Sequence, residues 1–527
     1  MASSTTLELE LLGVLLGVAV LLLLAYRTRV PYPILLVIGG SALAFVPGAP
    51  DLRLAPDIVL VAFLPPLLYA AAFFSSLHDL RDNVRPISLL AVGLVMMTMV
   101  AVALVAHAVA GMPWAAAFVL GAVVSPTDPT AATAIASRVG APRRFVTIVE
   151  GEALINDSTA LIAYKFAVAA VLTGGFSAGV AAWQFVLDAA VGVAIGLVVG
   201  VVVAAVRKAI DDAPTEITIS LITPYFAYLP AEAAGASAVL AAVTAGVYLG
   251  WRSPELITPS TRIETFSVWN LLVFVLNAVL FVLVGLSLPA VLDGIRDLST
   301  QAVVVDVLAV CAAVIAARFA WVFVAGWFPG RLWRTLREQP QPDWGFATIV
   351  GWTGMRGAVS LAAALAIPET AAGAPFPDRD LIVFLVYAVI LATLVPQGLT
   401  LPALIRRLGI EGDSTEETHE TTARLLAAQA AIDRIDALRG EDWVREETAA
   451  RMRRAYEFRV RRFSARFDEG DDGAIEEGSI QYQRLRRKVL EAERATIVRL
   501  RNQGRINDQT MHRIERDLDL EDTRLEL

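Results

Sequence analysis

Cysteine and histidine are scarce in this chain of 527 residues, which contains one cysteine, Cys311, and four histidines. A single cysteine excludes a disulfide within the chain and any metal site built from several cysteines. Charged residues are also few, at 18%, whereas 56% of the residues are hydrophobic and the mean hydropathy is +0.61. Such a composition excludes a soluble protein of this size. The net charge of −8 gives no reason to expect a nucleic-acid partner, and no segment indicates a cofactor.

The charged residues are distributed unevenly along the chain. Up to about residue 405 they lie in short gaps between apolar runs, whereas from Glu411 onward Glu, Asp and Arg are dense. This change predicts two domains, a transmembrane domain over residues 1–410 and a soluble helical tail over residues 411–527. Residues 467–478 (FDEGDDGAIEEG) predict a flexible acidic hinge within the tail.

Long apolar runs dominate the first domain. A bilayer span needs about 20 mainly apolar residues, and thirteen segments come near this length. They predict an all-α polytopic membrane protein with about thirteen transmembrane helices. The first segment lacks a basic flank and many spans follow, so we interpret it as a span and not as a signal peptide. The segments are 7–25, 31–47, 56–76, 86–110, 113–137, 145–173, 182–206, 215–231, 235–250, 263–288, 300–328, 346–367 and 380–405.

The arginines and lysines in the gaps predict the orientation. Gaps after odd-numbered spans contain fourteen of these residues, and gaps after even-numbered spans contain three, Arg53, Arg296 and Arg379. Because cytoplasmic gaps are the basic ones, the N-terminus is expected outside. With thirteen spans, the tail is then cytoplasmic.

Two prolines interrupt the fifth span. In SPTDPTA, Pro126 and Pro129 bracket Thr127 and Asp128. Each proline removes a backbone donor and clashes with the preceding turn, so the helix should break here. A break at mid-membrane exposes half-helix ends that can bind an ion. The alternative is that Asp128 only caps the second half-helix.

The sixth span carries a polar cluster, EGEALINDS. Glu152 and Asn156 are four residues apart and share one helix face, and Asp157 lies one residue further round. Ionisable groups inside a span are costly and face a cavity or a partner. The cluster is therefore a candidate ion site, although it would also serve to hold helices together.

Two arginines lie within later spans. Arg318 is in the eleventh, and Arg356 is in the twelfth beside Gly354 and Gly357, which allow that helix to open. Interrupted spans in the two halves of a transporter indicate inverted repeats that cross at the binding site. The fifth and twelfth spans are the predicted crossing pair. Elsewhere, we interpret Asn270 and Asn277 in the tenth span as structural or vestibular.

These motifs together resemble a known family. SPTDPTA (125–131), EGEALINDSTAL (150–161), Arg318 in ARFAWVF and GMRGAVSLA (354–362) are similar to those of monovalent cation/proton antiporter family one. That family contains the bacterial NhaP-type sodium/proton antiporters and the animal sodium/proton exchangers. The resemblance covers the whole predicted membrane domain, and it implies a transporter and not an enzyme.

The resemblance also implies roles for residues of the two interrupted regions. Asp157 would bind the monovalent cation or the proton, and Asn156 would hold the neighbouring half-helix. Asp128 and Thr127, with backbone carbonyls of the break, would complete the cation site. The family's members are typically homodimers, and an Asn-Asp pair implies electroneutral exchange.

The same resemblance implies structural roles for three charged residues. Glu152 would pair with Arg318, and Arg356 would stabilise the half-helix ends of the twelfth span. We therefore expect an antiporter in a bacterial cytoplasmic membrane that exchanges sodium or lithium for protons by alternating access, in pH and sodium homeostasis.

Two positions depart from the family pattern. Ala70 lies where NhaP-type antiporters often have a Glu, and Ala153 lies where a Ser often follows the Glu of the sixth span. Both changes remove oxygen ligands. Potassium/proton or broad monovalent cation/proton exchange therefore remains an alternative.

Two other classes of protein are weaker alternatives. An intramembrane aspartyl protease would use Asp128 and Asp157 as its dyad, but their Thr-Asp-Pro and Asn-Asp-Ser contexts are not those of such enzymes. A cation channel would need a carbonyl filter or an acidic ring along its pore, and the sequence contains no such repeat.

Overall fold

Helices account for almost all of the described structure. The computed structural model describes residues 4–28, 30–46, 59–333, 344–371, 373–410, 414–465 and 474–525. The chain divides into two compact units, Met1–Gly412 and Asp413–Leu527. The helices of the first unit are α1 (Ser4–Thr28), α2 (Tyr32–Leu43), α3 (Leu64–Phe74), α4 (Leu77–Asp82), α5 (Val84–Ser88), α6 (Val95–Val109), α7 (Trp114–Val124), α8 (Pro129–Val139), α9 (Arg143–Thr173), α10 (Ala178–Lys208), α11 (Ala213–Ala233), α12 (Ala238–Leu256), α13 (Pro259–Leu286), α14 (Leu288–Asp293), α15 (Thr300–Trp333), α16 (Trp344–Trp352), α17 (Ala358–Leu365) and α18 (Arg379–Arg407).

Two wider helical turns and one short strand pair complete this unit. π-Helical turns at Val59–Phe63 and Leu89–Leu94 directly precede α3 and α6. Between α17 and α18, strands β1 (Thr370–Ala371) and β2 (Ala374–Pro375) pair antiparallel.

Side-chain hydroxyl groups cap the first turns of two helices. Ser237 Oγ accepts the backbone N–H of Leu240 at the start of α12, and Thr258 Oγ1 accepts that of Thr261 at the start of α13. These side chains satisfy amides that the first turn of a helix leaves without partners.

Helices or half-helix pairs occupy each of the thirteen predicted segments, as far as the structure describes them. Among the described residues, six helices are long and apolar enough to cross a bilayer. The fifth and twelfth segments miss the length criterion because each is divided into two short helices. The six are Val84–Val109, Arg143–Thr173, Ala178–Lys208, Thr261–Asp293, Thr300–Val324 and Arg379–Arg407.

A row of glycines on one face of α10 allows close contact with α12. Gly192, Gly196 and Gly200 recur every four residues along one face of α10. A Cβ atom at Gly196 would lie 2.3 Å from the carbonyl oxygen of Ala241 on α12. Small residues at this spacing let backbones approach closely where lipid provides no hydrophobic drive.

The helices of the first unit form two packed sets. One contains α2, α3, α10, α11, α12 and α13, and the other contains α6, α7, α8, α15, α16, α17 and α18. Helix α9 contacts members of both sets. Functional side chains of α9 are therefore placed where the two sets meet.

The second unit consists of four helices: α19 (Ser414–Leu438), α20 (Glu446–Ala465), α21 (Ala474–Asn502) and α22 (Asp508–Leu525). Helices α19 and α20 pack together, as do α21 and α22. Arg494 on α21 binds Asp519 and Asp522 on α22 at 2.7 and 3.0 Å. Of the predicted hinge, residues 467–473 lie outside the described residues. The prediction is wrong for the remainder, because residues 474–478 are helical and extend α21 by a turn.

Candidate functional site

The two broken helices meet at their breaks. Helix α7 ends at Val124 and α8 begins at Pro129, while α16 ends at Trp352 and α17 begins at Ala358. The backbone N–H of Asp128 donates to the carbonyl oxygen of Met355 at 2.8 Å, which joins one break directly to the other.

Charged side chains occupy the ends of the half-helices. Arg356 Nε donates to the carbonyl oxygen of Val124 at 2.9 Å, and Arg318 Nε donates to that of Val350 at 3.1 Å. These carbonyls belong to the negative C-terminal ends of α7 and α16, where cations are stabilising. Asp128 lies at the positive N-terminal end of α8, and its Oδ1 accepts the N–H of Thr130 at 2.8 Å.

A directed chain of hydrogen bonds links α9 to the first break and to α15. Asn156 Nδ2 donates to Thr127 Oγ1 at 2.8 Å, and Thr127 Oγ1 donates to Glu152 Oε1 at 2.9 Å. Arg318 binds both carboxylate oxygens of Glu152, at 2.6 and 2.9 Å. Glu152 and Arg318 are each 1% exposed. The two form a mutually neutralising, buried pair with bidentate geometry.

Asp128 and Asp157 face a cavity of about 530 Å³ between the two helix sets. The wall includes Ala70 from α3 and Ala153 from α9, one turn before Asp157. Glu150, at the same wall, adds a third carboxylate. Within the described residues no group of three or more His, Cys, Asp or Glu is arranged to hold a metal ion.

The second break closes tightly on Asp128. A Cβ atom at Gly357 would lie 2.0 Å from Asp128 Oδ2 and 2.6 Å from its Cγ. Only a residue without a side chain leaves room for the carboxylate here. One oxygen of Asp128 thus caps α8 while the other lies against the backbone of the opposite break.

The structure brings all seven candidate residues to this region. Asp157, Asp128 and Thr127 line the cavity, and the others lie in the polar chain or at helix ends: Asn156, Glu152, Arg318 and Arg356. The sequence analysis missed the contact of Gly357 with Asp128. It interpreted Asn270 and Asn277 as structural or vestibular, and the structure places both on the wall of the same cavity.

Comparison with known proteins identifies the family. The sequence model of the family described as sodium/hydrogen exchanger, transmembrane, matches residues 13–407. An uncharacterized Na⁺/H⁺ exchanger of Mycobacterium tuberculosis is 36% identical over 509 residues, which cover 95% of this chain and 93% of the relative. The chain therefore belongs to the sodium/hydrogen exchanger family, and the family predicted from the motifs is confirmed.

Two further matches extend the comparison. A sodium, potassium, lithium and rubidium/H⁺ antiporter of Bacillus pumilus is 34% identical over 389 residues, 71% of this chain and 58% of the relative. The solved structure of the sodium proton antiporter MjNhaP1 from Methanocaldococcus jannaschii matches with a TM-score of 0.62 at 17% identity. That match covers 77% of this chain and 99% of MjNhaP1. It shows that the two proteins share a fold.

Proposed function

We propose that this protein is a secondary active antiporter that exchanges sodium or lithium for protons by alternating access. The observation that carries the proposal is the distribution of buried charge. Glu152 is neutralised by Arg318, whereas Asp128 and Asp157 line a cavity beside the broken helices. Membership of the sodium/hydrogen exchanger family supports the same function.

Competition at one carboxylate explains how exchange is coupled. Asp157 binds either a proton or a cation, but not both, while Asp128, Thr127 and Asn156 complete or hold the site. If the loaded site faces one side of the membrane at a time, each cation crossing is exchanged for proton movement. With Glu152 already neutralised, one exchanging charge on Asp157 makes the exchange electroneutral.

The orientation, the span count and the assembly belong to the same proposal. Thirteen spans place the N-terminus outside and the tail in the cytoplasm of a bacterial cell, as the gap arginines indicate. Large apolar side chains such as Trp183 and Val198, which are 64% and 62% exposed, suit contact with lipid. A homodimer is expected from the family, and native mass spectrometry in detergent tests it.

A broader cation range is the second candidate function. Ala70 and Ala153 place methyl groups on the cavity wall where oxygens would favour a small, strongly hydrated ion. The Bacillus pumilus relative is named for sodium, potassium, lithium and rubidium. On this reading, potassium competes with protons at the same carboxylate.

Cation-driven proton flux in liposomes tests both candidates. The purified protein would be reconstituted under an imposed pH gradient, and sodium, lithium or potassium added in turn. Asp157→Asn removes the exchanging carboxylate. Asp293→Asn is the matched control, because Asp293 is exposed and forms an ion pair with Arg296 outside the cavity.

Each result assigns a function. Dissipation by sodium or lithium alone, with a silent Asp157→Asn and an active Asp293→Asn, supports sodium/proton exchange. Equal or faster dissipation by potassium supports the broad exchanger. Proton movement without any dependence on a cation, or a fully active Asp157→Asn, refutes the proposed role of Asp157.

A further inference from the structure

Asn277 is a buried polar side chain that the exchange mechanism has not used. It lies on α13 and is 9% exposed. It lines the same cavity as Asp128 and Asp157. Its side-chain amide makes no hydrogen bond to any part of the chain that the structure describes. Neither polar atom of its side chain is among the fully buried atoms that lack a partner, so the amide is open to the cavity and can bind what enters it.

The cavity-lining residues that lie nearest to Asn277 along α13 are apolar. The cavity-lining residues nearest to it on α13 are Val273, Phe274, Leu280 and Phe281. A leucine or valine would complete this surface at lower cost if the only task were packing. A polar group aimed at a cavity is instead expected to meet something polar inside it.

Aromatic contacts give the depth of Asn277 relative to α3. The rings of Phe74 and Phe266 are 5.1 Å apart, and those of Tyr69 and Trp269 are 5.3 Å apart. Helices α3 and α13 are therefore antiparallel. Asn277 comes eight residues after Trp269, about 12 Å further along α13, and so lies near the beginning of α3.

The candidate cation-binding carboxylate also lies close to α3. Leu64, the first residue of α3, packs in one hydrophobic cluster with Leu154 of α9. Asp157 follows Leu154 by about one helical turn. Asn277 and Asp157 therefore both lie beside α3, on different helices that border the same cavity.

Some positions around the site offer no oxygen that is free to bind a cation. Asp128 Oδ1 already caps α8, and Ala70 and Ala153 contribute only methyl groups to the wall. Monovalent and other hard cations prefer carboxylate, carbonyl, hydroxyl and water oxygens. The carbonyl oxygen of Asn277 is a free acceptor of this type on the wall that lacks carboxylates.

We infer that Asn277 positions the transported cation, through its carbonyl oxygen directly or through one water molecule, while Asp157 supplies the charge. This inference rests on the proposed function, because it names a further ligand of that same cation site. Asn277 thus compensates in part for the oxygens missing at Ala70 and Ala153. Its contribution lies in cation affinity, since a neutral amide does not carry the exchanged proton.

The test compares cation affinity with maximal rate. Initial rates of sodium-driven proton flux in liposomes would be measured against sodium concentration for wild type, Asn277→Leu and Asn277→Ser. Loss of one neutral oxygen is expected to raise the KM for sodium about tenfold in Asn277→Leu, with little change in maximal rate. Asn277→Ser retains an oxygen and should recover part of the affinity.

Ser267 offers a matched control. It lies on α13, is exposed, donates to the backbone oxygen of Ile263 and is not among the residues that line the cavity. Ser267→Ala should leave the KM unchanged. If Asn277→Leu does not assemble, cation affinity is compared without transport, from the rise in melting temperature that sodium causes in wild type and in Asn277→Ser. This rise should be smaller in Asn277→Ser than in wild type at the same sodium concentration, and an equal rise would overturn the role of Asn277.

The outcomes separate this inference from the proposed function. An unchanged KM in Asn277→Leu, with active wild type and silent Asp157→Asn, overturns the role of Asn277 and leaves the antiporter intact. A fall in maximal rate that Asn277→Ser does not relieve, at constant KM, also overturns it, because it indicates packing. A wild type without cation-dependent proton flux refutes the proposed function itself.

Discussion

Arg318 holds the carboxylate of Glu152 through two hydrogen bonds, at 2.6 and 2.9 Å, in a place where each side chain is 1% exposed. The same arginine donates to the carbonyl oxygen of Val350 at the end of α16. Glu152 is thereby committed to a structural pair, and the pair ties α9 to the second broken helix. The charge available for exchange is left to the cavity carboxylates.

We expect Glu152→Gln to be strongly destabilising. Removing the carboxylate leaves the guanidinium of Arg318 buried without a counter-charge, a change that typically costs about 3–5 kcal/mol. Thermal unfolding in detergent measures the effect. Glu150→Gln is the control, because Glu150 is partly exposed at the cavity wall. Equal melting temperatures for Glu152→Gln and wild type would contradict the role of the pair.

Gly357→Ala tests the contact between the two breaks. The new methyl group would lie 2.0 Å from Asp128 Oδ2, so the carboxylate must move. Displacement of a site group by about 1 Å can reduce a rate by about 100-fold. Sodium-driven proton flux should therefore be nearly lost, while Gly175→Ala, with no atom within 4 Å, should behave as wild type. Normal flux in Gly357→Ala would argue against a fixed position of Asp128.

The position of the first helix break was predictable from local chemistry, whereas the contact partners of the buried charged residues were not. Pro126 and Pro129 cannot continue a helix, so the interruption at residues 125–128 follows from sequence alone. The partner of Glu152, however, is 166 residues away. Such a pairing depends on how the helices pack, and only the resemblance to a known family indicated it.

The orientation of side chains was the second feature that the sequence predicted only in part. Spacing along α9 predicted that Glu152 and Asn156 share a face, and both do contact Thr127. Asn270 and Asn277 are seven residues apart on one face of α13, and both line the cavity, but two amides on an apolar helix did not distinguish a structural from a vestibular position. The tight approach of Gly357 to Asp128 had no signal beyond the glycine itself.

Thr127→Val tests the hydrogen-bonded chain. Valine has nearly the same shape as threonine but can neither donate to Glu152 nor accept from Asn156. Leaving those buried groups short of a partner should cost about 1–3 kcal/mol. Chemical or thermal unfolding measures this, and Thr127→Ser should restore most of the stability. A Thr127→Val protein as stable as wild type would contradict a stabilising role of the hydrogen-bonded chain.

Gly196→Ala tests the close packing of α10 on α12. Its Cβ would lie 2.3 Å from a backbone oxygen, that of Ala241, which cannot rotate away. Overpacking of this kind typically costs about 1–3 kcal/mol. Gly179→Ala, in the same helix with no atom within 4 Å, should be neutral or slightly stabilising because alanine favours helix. A Gly196→Ala protein as stable as Gly179→Ala would mean that the helices can separate without cost.

Ala153→Ser tests whether the methyl group at this wall position influences cation preference. Ala153 and Ala163 are on the same helix and are each 6% exposed, but only Ala153 lines the cavity. A hydroxyl at position 153 adds a neutral ligand one turn from Asp157, and small cations gain most from an additional close oxygen. We expect Ala153→Ser to lower the KM for sodium and lithium several-fold relative to potassium, by about the value of one neutral hydrogen bond, and Ala163→Ser to change neither. The ratio of the KM values for sodium and potassium in liposomes is the measurement. An equal shift of the ratio in both variants would mean that a change in helix α9 as a whole, and not the new hydroxyl, causes it. An unchanged ratio in both variants would mean that cation selection depends on other residues, such as Asn277 on α13.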